Sequence, residues 1–318
     1  MTDLARIQTA ADLVQLAIGS TPQLNWPLLS VRCGTEVWVK HENHNPTGAF
    51  KIRGGLVYMD ALKRSKPDTE GVICATRGNH GQSIATAASK FALKAVIVVP
   101  HRNSQEKNTA MAAQGGELIE HGHDFQEALE YAQSLAEERG LHMVDSFHEY
   151  LVTGVATYAF ELFGAVPDID TVYVPIGLGS GICGTIAARN ALGLKSKIVG
   201  VVSENAPAYA LSFKAGKPVS TNSADTMADG VACRVPVDEA VSTINDNIER
   251  VVEVTEAEIK AAMRHIYTDT HNVAEGAGAV ALAALLQERE AMAGARVAVV
   301  LSGGNIDIDV YQAILAEG

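Results

Sequence analysis

Cysteine is scarce in this chain: Cys33, Cys74, Cys183 and Cys233 are all there are in 318 residues, and they lie far apart. That excludes a disulfide scaffold and reads as reduced structural thiols of a cytoplasmic protein. The alternative for Cys183, beside an expected helix start, is a redox or nucleophilic thiol. Positive charge is also short. The formal net charge is −12 and no dense block of Lys and Arg occurs. Nucleic acid needs a basic footprint and is therefore not an expected partner, and anionic membrane surfaces are disfavoured for the same reason. No uninterrupted apolar run approaches the ~18 residues that would cross a bilayer. Met1 to Ala10 has no apolar core of the kind a signal peptide carries. Internal repeats and low-complexity segments are absent. What remains, 47% hydrophobic and 19% charged residues, is a globular chain with ample core, long enough for about two domains.

Against this background one segment stands out: Asn45-Pro46-Thr47-Gly48-Ala49-Phe50-Lys51-Ile52-Arg53-Gly54-Gly55. It places Lys51 between a turn and a helix start, after the strand-like Glu36–Lys40. A lysine held there, partly dry and beside an aromatic ring, loses preference for the ammonium form and becomes nucleophilic. A second segment, Val72–Gln82, passes from a buried strand through Thr76-Arg77-Gly78-Asn79-His80 into a helical pattern, aiming backbone N–H groups at an anion such as a carboxylate. In a third, the strand Val172–Val174 feeds Gly177-Leu178-Gly179-Ser180-Gly181 and then a helix, an arrangement that cradles phosphate. A fourth, the strand Val297–Leu301, ends in Ser302-Gly303-Gly304-Asn305.

Short apolar runs alternate with helical periodicity along the chain. Strands are expected at Glu36–Lys40, Gly71–Ala75, Lys94–Val99, Glu117–Glu120, Thr171–Val174, Lys197–Val202, Arg250–Val254 and Arg296–Leu301. Helices are expected from Lys51, Asn79, Ser104, Asp124, Thr153, Ser180 and Ala206, across Glu275–Leu286, and after a Thr255/Glu258 capping box. Residues Lys214–Pro236 read as loop. Alternating β and α units imply an α/β fold with parallel sheets covered by helices.

The four blocks, in this order, resemble the fold-type II pyridoxal-phosphate enzymes, and among them the threonine/serine dehydratases and serine racemases. Their lysine motif reads Pro-Thr-Gly-Ser-Phe-Lys-x-Arg-Gly-Ala, from which Ala49 and Gly55 depart. The likeness extends to Ala228-Asp229-Gly230 and Ala274-Glu275-Gly276. It implies a two-domain open parallel-sheet architecture with the cofactor between the domains: residues 46–144 as a smaller inserted domain, residues 1–45 plus 145–318 as the larger. It implies pyridoxal 5'-phosphate on Lys51, which would also act as base at the substrate Cα. Phe50 would stand against the cofactor, Asn79 would bond its ring hydroxyl, and Gly177, Leu178, Gly179, Ser180 and Gly181 would hold its phosphate, with Leu178 turned away. Ser302 would face the pyridine nitrogen without keeping it protonated, which weakens the electron sink and favours loss of a β-substituent. Thr76, Arg77, Gly78, Asn79 and His80 would hold the substrate, with Gly230 and Glu275 nearby. The implied reaction is a dehydratase (ammonia-lyase) β-elimination from threonine, serine or 3-hydroxyaspartate to a 2-oxo acid and ammonia, in a homodimer or higher homo-oligomer.

Several positions admit other readings. Gly179-Ser180-Gly181-Ile182-Cys183-Gly184 also satisfies G-x-G-x-x-G, with Glu204 ending the next strand, the fingerprint of an NAD-dependent dehydrogenase. It follows several earlier strands, however, and leaves the Lys51 and Ser302 blocks without a role. A racemase or a β-replacement enzyme of the same fold are further alternatives. Asn79 also suits a helix N-cap, Ser302 a turn, and Glu275 the first turn of a helix. His121 and His123 look like metal ligands but have no partner cluster. Arg77 stands where serine racemases carry the serine that returns a proton. An arginine is a poor acid and instead suits a second substrate carboxylate or a structural ion pair. The racemases' cation site is matched at Glu204 and Ala208, but Ala210 replaces its aspartate, so a mono- or divalent cation there would be held weakly. The chain ends soon after Ser302, so the regulatory domain of biosynthetic threonine dehydratases, with its isoleucine feedback, is not expected.

Overall fold

The alternation of apolar runs and helical stretches builds two sheets with helices on both faces. The structure, a computed structural model, describes residues 2–317. The first half contains α1 (Leu4–Ile18), β1 (Gln23–Asn25), α2 (Pro27–Cys33), β2 (Glu36–His41), α3 (Lys51–Ser65), β3 (Gly71–Ala75), α4 (Asn79–Lys90), β4 (Lys94–Val99), α5 (Gln105–Ala113), β5 (Gly116–Glu120), α6 (Phe125–Arg139) and β6 (His142–Met143). The second contains α7 (Glu149–Ala165), β7 (Thr171–Pro175), α8 (Ser180–Ala191), β8 (Lys197–Ser203), α9 (Ala208–Ala215), α10 (Asp238–Asn247), β9 (Arg250–Val254), α11 (Glu256–Thr270), α12 (Gly276–Gln287), β10 (Arg296–Leu301) and α13 (Ile308–Ala316).

A six-stranded sheet has the order β1-β2-β10-β7-β8-β9, parallel except for the pairing of β1 with β2. A four-stranded sheet has the order β5-β4-β3-β6 and is parallel throughout. Its strands all fall between Gly71 and Met143. Strand β3 is buried along its whole length because both faces are covered, and so it reads as a continuous apolar run without alternation. Val72 and Cys74 pack towards α3 and α4, whereas Ile73 and Ala75 pack towards α6. The larger sheet is treated alike: Val297 and Val299 meet α11 and α12, and Ala298 and Val300 meet α7 and α8. Helix α1 touches two of these cores, with Ile7 in one and Ala10 and Val14 in another.

The expected strands are all present. Two helix starts differ from expectation. Helix α7 begins at Glu149, not Thr153: His148 caps it by accepting from the Tyr150 N–H, and the Thr153 hydroxyl bonds back to the Glu149 carbonyl inside the helix. Helix α9 begins at Ala208 rather than Ala206. The Lys214–Pro236 loop contains the end of α9 and a short 3-10 turn at Asp229–Val231. Ser104 and Asp124 are N-caps, and the Thr255/Glu258 capping box is formed.

Candidate active site

The functional blocks meet at the C-terminal ends of the parallel strands, where ligands bind in open α/β sheets. The chain leaves β3 into Thr76–Gly78, β7 into Ile176–Gly179, and β10 into Ser302–Asn305, while α3 opens with Lys51. The lysine block and the Ser302 block are stitched together by backbone: Phe50 N–H donates to the Ser302 carbonyl at 3.0 Å and Gly304 N–H to the Gly48 carbonyl at 2.9 Å. Ala49 and Gly303 form a β-bridge.

Lys51 Nζ lies 3.2 Å from Ser180 Oγ, the first residue of α8, and 5.1 Å from the centroid of the Phe50 ring. Burial pulls its amine down to about 8, so a free-base fraction exists near neutral pH. Phe50 packs edge-on to Tyr158, whose hydroxyl donates to the Gly181 carbonyl at 2.9 Å and so fixes the first turn of α8. On the other side of the loop the Tyr209 hydroxyl donates to the Leu178 carbonyl at 2.8 Å. The Leu178 side chain packs against the core. Gly179 has φ +103°, a left-handed conformation that suits glycine, and a Cβ at Gly177 would overlap the Gly230 carbonyl. The loop thus leads into a helix N-terminus with unpaired N–H donors, a seat for an anion.

The second loop is organised by Thr76, whose Oγ1 accepts from Gly78 N–H at 3.0 Å and Gly81 N–H at 3.3 Å. Helix α4 is tied to the lysine by Ser83 Oγ, which donates to the Lys51 carbonyl at 2.7 Å. His80 is buried, with Nε2 unpaired. Burial and the nearby Lys51 push its pKa down to about 3, so it is neutral. Arg77 is exposed and makes no ion pair or side-chain hydrogen bond among the described residues, so it is not part of a structural salt bridge. Asn79 does not cap its helix. Its side chain lies between Asn305 and Glu275, accepting from the former and donating to Glu275 Oε1 at 2.7 Å. Glu275 occupies the N-cap of α12 without a side-chain capping bond. It is buried, its Oε2 has no partner, and burial raises its pKa to about 7, with Lys107 pulling down and Asp229 pushing up. Ser302 is buried and its hydroxyl donates to the Ala277 carbonyl at 3.2 Å.

Three expectations are not gathered into this site. Glu204 is exposed on the turn after β8, and no group of three or more His, Cys, Asp or Glu suited to a metal occurs among the described residues. His121 stacks on Tyr131 with ring centroids 3.8 Å apart. Cys183 is buried and its thiol pushed up to about 12, which makes it inert as a nucleophile. Conversely, Asn305 and Lys107 are site neighbours whose roles the linear pattern did not disclose. Lys107 bonds Asp229 at 2.5 Å and lies against Gly78. Its signal is a lysine on the buried side of α5, alongside Asn108 and Met111.

A parallel α/β fold that brings a desolvated lysine to a helix N-terminus suits an enzyme built around a phosphate-bearing carbonyl cofactor. The chain belongs to the family of pyridoxal-phosphate dependent enzymes, whose model matches residues 14–303. It is 33% identical to an L-threonine ammonia-lyase of Thermotoga maritima over 100% of this chain and 79% of the relative. It is 29% identical to an L-threo-3-hydroxyaspartate ammonia-lyase of Saccharomyces cerevisiae over 96% of this chain and 94% of the relative. The structure of maize serine racemase superposes with a TM-score of 0.92 at 27% identity, covering 99% of this chain and 98% of that one. The residues present fit the cofactor: a dry amine, an N–H cradle, and buried polar atoms at His80 and Glu275 that lack partners of their own. This membership excludes the dinucleotide reading of the glycine loop. No helix among the described residues is long and apolar enough to cross a membrane.

Proposed function

We propose that the chain is a dehydratase that converts a β-hydroxy-α-amino acid into a 2-oxo acid and ammonia. The reading is carried by the desolvated Lys51 Nζ at 3.2 Å from Ser180 Oγ, at the mouth of the α8 N-terminus. The ammonia-lyase names of relatives aligned over nearly the whole chain support it. Bound pyridoxal phosphate supplies an electron sink for the bond-breaking at Cα. Lys51 Nζ is its covalent anchor and, once freed, takes the Cα proton. An amine with its pKa near 8 can both hold and release that proton at working pH. The N–H groups opening α8, with the Ser180 hydroxyl, receive the phosphate, and the Phe50 ring excludes water on one flank. Thr76, by accepting from the Gly78 and Gly81 N–H groups, fixes the shape of the loop, whose Asn79 and His80 backbone N–H groups would receive the substrate α-carboxylate. Ser302 would turn its hydroxyl from the Ala277 carbonyl to the pyridine nitrogen and, as a neutral donor, would not keep that nitrogen protonated. The β-hydroxyl leaves with its electron pair and, taking up the proton removed from Cα, departs as water. A water then adds at the former Cα as ammonia departs, so the amino acid is split into a 2-oxo acid and ammonia with no net consumption of water.

Arg77 favours a dicarboxylic member of this substrate class. It projects from the Thr76–His80 loop with no carboxylate partner of its own, as a guanidinium must to read the second carboxylate of 3-hydroxyaspartate. Racemisation is then slow, because no acid replaces the racemases' serine at this position. The cofactor lies between the two sheets, with residues 46–144 as the smaller body and 1–45 plus 145–318 as the larger. The enzyme works in the cytoplasm as a homodimer or larger homo-oligomer. The exposed Leu28 and Val31 of α2 and Ile308 of α13, helices that both pack on α11, are available for self-association.

Two measurements test the core reading. Borohydride reduction of the cofactor-loaded protein followed by peptide mapping should place the cofactor on Lys51. A screen of serine, threonine and 3-hydroxyaspartate should release 2-oxo acid and ammonia in equal amounts. Attachment at another lysine, or no oxo acid from any of these substrates, would sink it.

A further inference from the structure

Two side-chain amides and a carboxylate, brought together by the fold, form one directed line of hydrogen bonds at the site. Asn305 Nδ2 donates to the Thr47 carbonyl at 2.8 Å and to Asn79 Oδ1 at 2.8 Å. A backbone carbonyl can only accept, so the Thr47 bond fixes which end of the Asn305 amide faces it. Asn305 consequently meets Asn79 as a donor, and Asn79 must turn its oxygen towards it. The Asn79 nitrogen is then left on the far side, where it donates to Glu275 Oε1 at 2.7 Å. Two glycines clear the path: a Cβ at Gly48 (φ +67°) would overlap Asn305 Oδ1, and one at Gly303 would overlap Glu275 Oε1. Both N–H groups of Asn305 are used, and Asn79 keeps one N–H uncommitted.

We propose that Asn305 is a positioning residue that turns Asn79 so that its uncommitted N–H, rather than its oxygen, is offered to the ring oxygen of the cofactor, which rests on the reading above that Asn79 contacts that oxygen. The ring oxygen is thereby held as an acceptor, in its ionised form. The carboxylate at the end of the line completes the arrangement, since an ionised Glu275 accepts and cannot present a donor that would let Asn79 turn round. The charged groups facing Glu275 are Lys107 of α5, which favours ionisation, and Asp229 of the 3-10 turn, which opposes it.

The test is to reverse the line. In Asn305→Asp the residue has no N–H to give, so the Asn79 amide turns its nitrogen to the new carboxylate and its oxygen to Glu275, which must then carry a proton. In the holoenzyme, the Glu275 carboxyl titration followed by carbon NMR, assigned through its loss in Glu275→Gln, should move up by about one to two pH units. The cofactor absorbance should move towards the form with a neutral ring hydroxyl. The added charge alone also raises the midpoint, so the shift is measured again in an Asn79→Ala background, where the part owed to reorientation should vanish. An unmoved midpoint, or an equal rise without Asn79, overturns the proposal. A raised midpoint with unchanged absorbance upholds the orienting role but removes Asn79 from the cofactor, which is a failure of the functional reading instead. Should Asn305→Asp fold poorly, Asn305→Asp with Glu275→Gln supplies a donor at position 275 and should recover thermal stability. The same charge removed by Glu275→Met should recover none, and equal recovery in both double variants refutes the reversed line.

Discussion

Glu42 and Glu275 are two fully enclosed carboxylates, set on either side of the lysine block, and their pKa values move in opposite directions. Burial pushes both up. At Glu42 this is overcome by Arg53 and Lys40, and four donors reach its oxygens: Thr21 Oγ1 at 2.6 Å, Arg53 Nε at 2.7 Å, Asn45 Nδ2 at 2.8 Å and Arg53 Nη2 at 3.0 Å. Arg53 is completed by Glu161, which also takes Lys40 Nζ at 2.6 Å. At Glu275 one donor arrives, from Asn79, and Oε2 has none, so burial wins and the group rises to about 7. The same depth gives a strut held ionised by its cations in one place and a group shifted towards its protonated form in the other. What decides is the neighbouring charge, Arg53 and Lys40 together in one case and Lys107 opposed by Asp229 in the other, with the hydrogen-bond donors adding to it. The strut grips Arg53, two residues along α3 from Lys51, and so holds that helix. The titrating group lies against Asn79.

Lys51→Ala, at the seam between the two clusters, has the largest expected effect. Elimination should fall by at least about 10²–10⁴-fold with circular dichroism unchanged, since proton transfer alone has that worth. Residual turnover within tenfold of the parent would remove Lys51 from the chemistry. Next comes the strut. Arg53→Met leaves Glu42 and Glu161 buried without their main partner and should cost about 3–5 kcal/mol in urea unfolding. If stability is unchanged, the network is not what secures α3. Arg77→Ala should lower kcat/KM for 3-hydroxyaspartate about 10–150-fold while sparing serine and threonine. Equal losses on all three would mean that Arg77 shapes the loop or binds the shared α-carboxylate.

The smallest effect is the most direct test of the contrast. A carboxyl with a raised pKa contributes stability that is present below its unfolded value and is lost as pH climbs through the folded one. Glu275 should therefore destabilise the fold progressively between about 4.5 and about 7. A carboxyl with a lowered pKa behaves oppositely, so Glu42 contributes stability above its unfolded value that disappears on acidification. Glu275→Gln should flatten the slope of unfolding free energy between pH 4.5 and 7 without altering acid unfolding. An unchanged slope in that window would show that Glu275 does not titrate there.

Much of this molecule was legible in its sequence, and the failures have physical causes. Strands β3, β4, β7, β8 and β10 announce themselves because they are covered on both faces and must be apolar throughout. Helix α1 passed unnoticed because only Ile7, Ala10 and Val14 are buried, while Leu16 faces outward and blurs the stripe. β1 and β6 are too short, at three and two residues, to show a period. The start of α7 was misplaced because its cap is a histidine, while Thr153 has the look of a cap and is an interior residue bonding backwards. At the site, the placement of Lys51, Ser180, Asn79 and Ser302 is readable since each opens a helix or follows a strand. The line from Asn305 through Asn79 to Glu275 was not, because its members stand 226 and 196 positions apart and only the folded sheets bring them together.

The place of β10 has a consequence for how the protein is made. It is the last strand among the described residues, yet it lies in the interior of the larger sheet, hydrogen-bonded to β2 on one side and β7 on the other. Until residues 296–301 emerge from the ribosome, those two strands have no common neighbour, and Phe50 N–H has no Ser302 carbonyl to hold it. The smaller sheet, by contrast, is complete once Met143 has been synthesised. A nascent chain can therefore settle its four-stranded half early, but it acquires a seat for the cofactor only after residues 296–302 have been made, through contacts of very high sequence separation that form slowly.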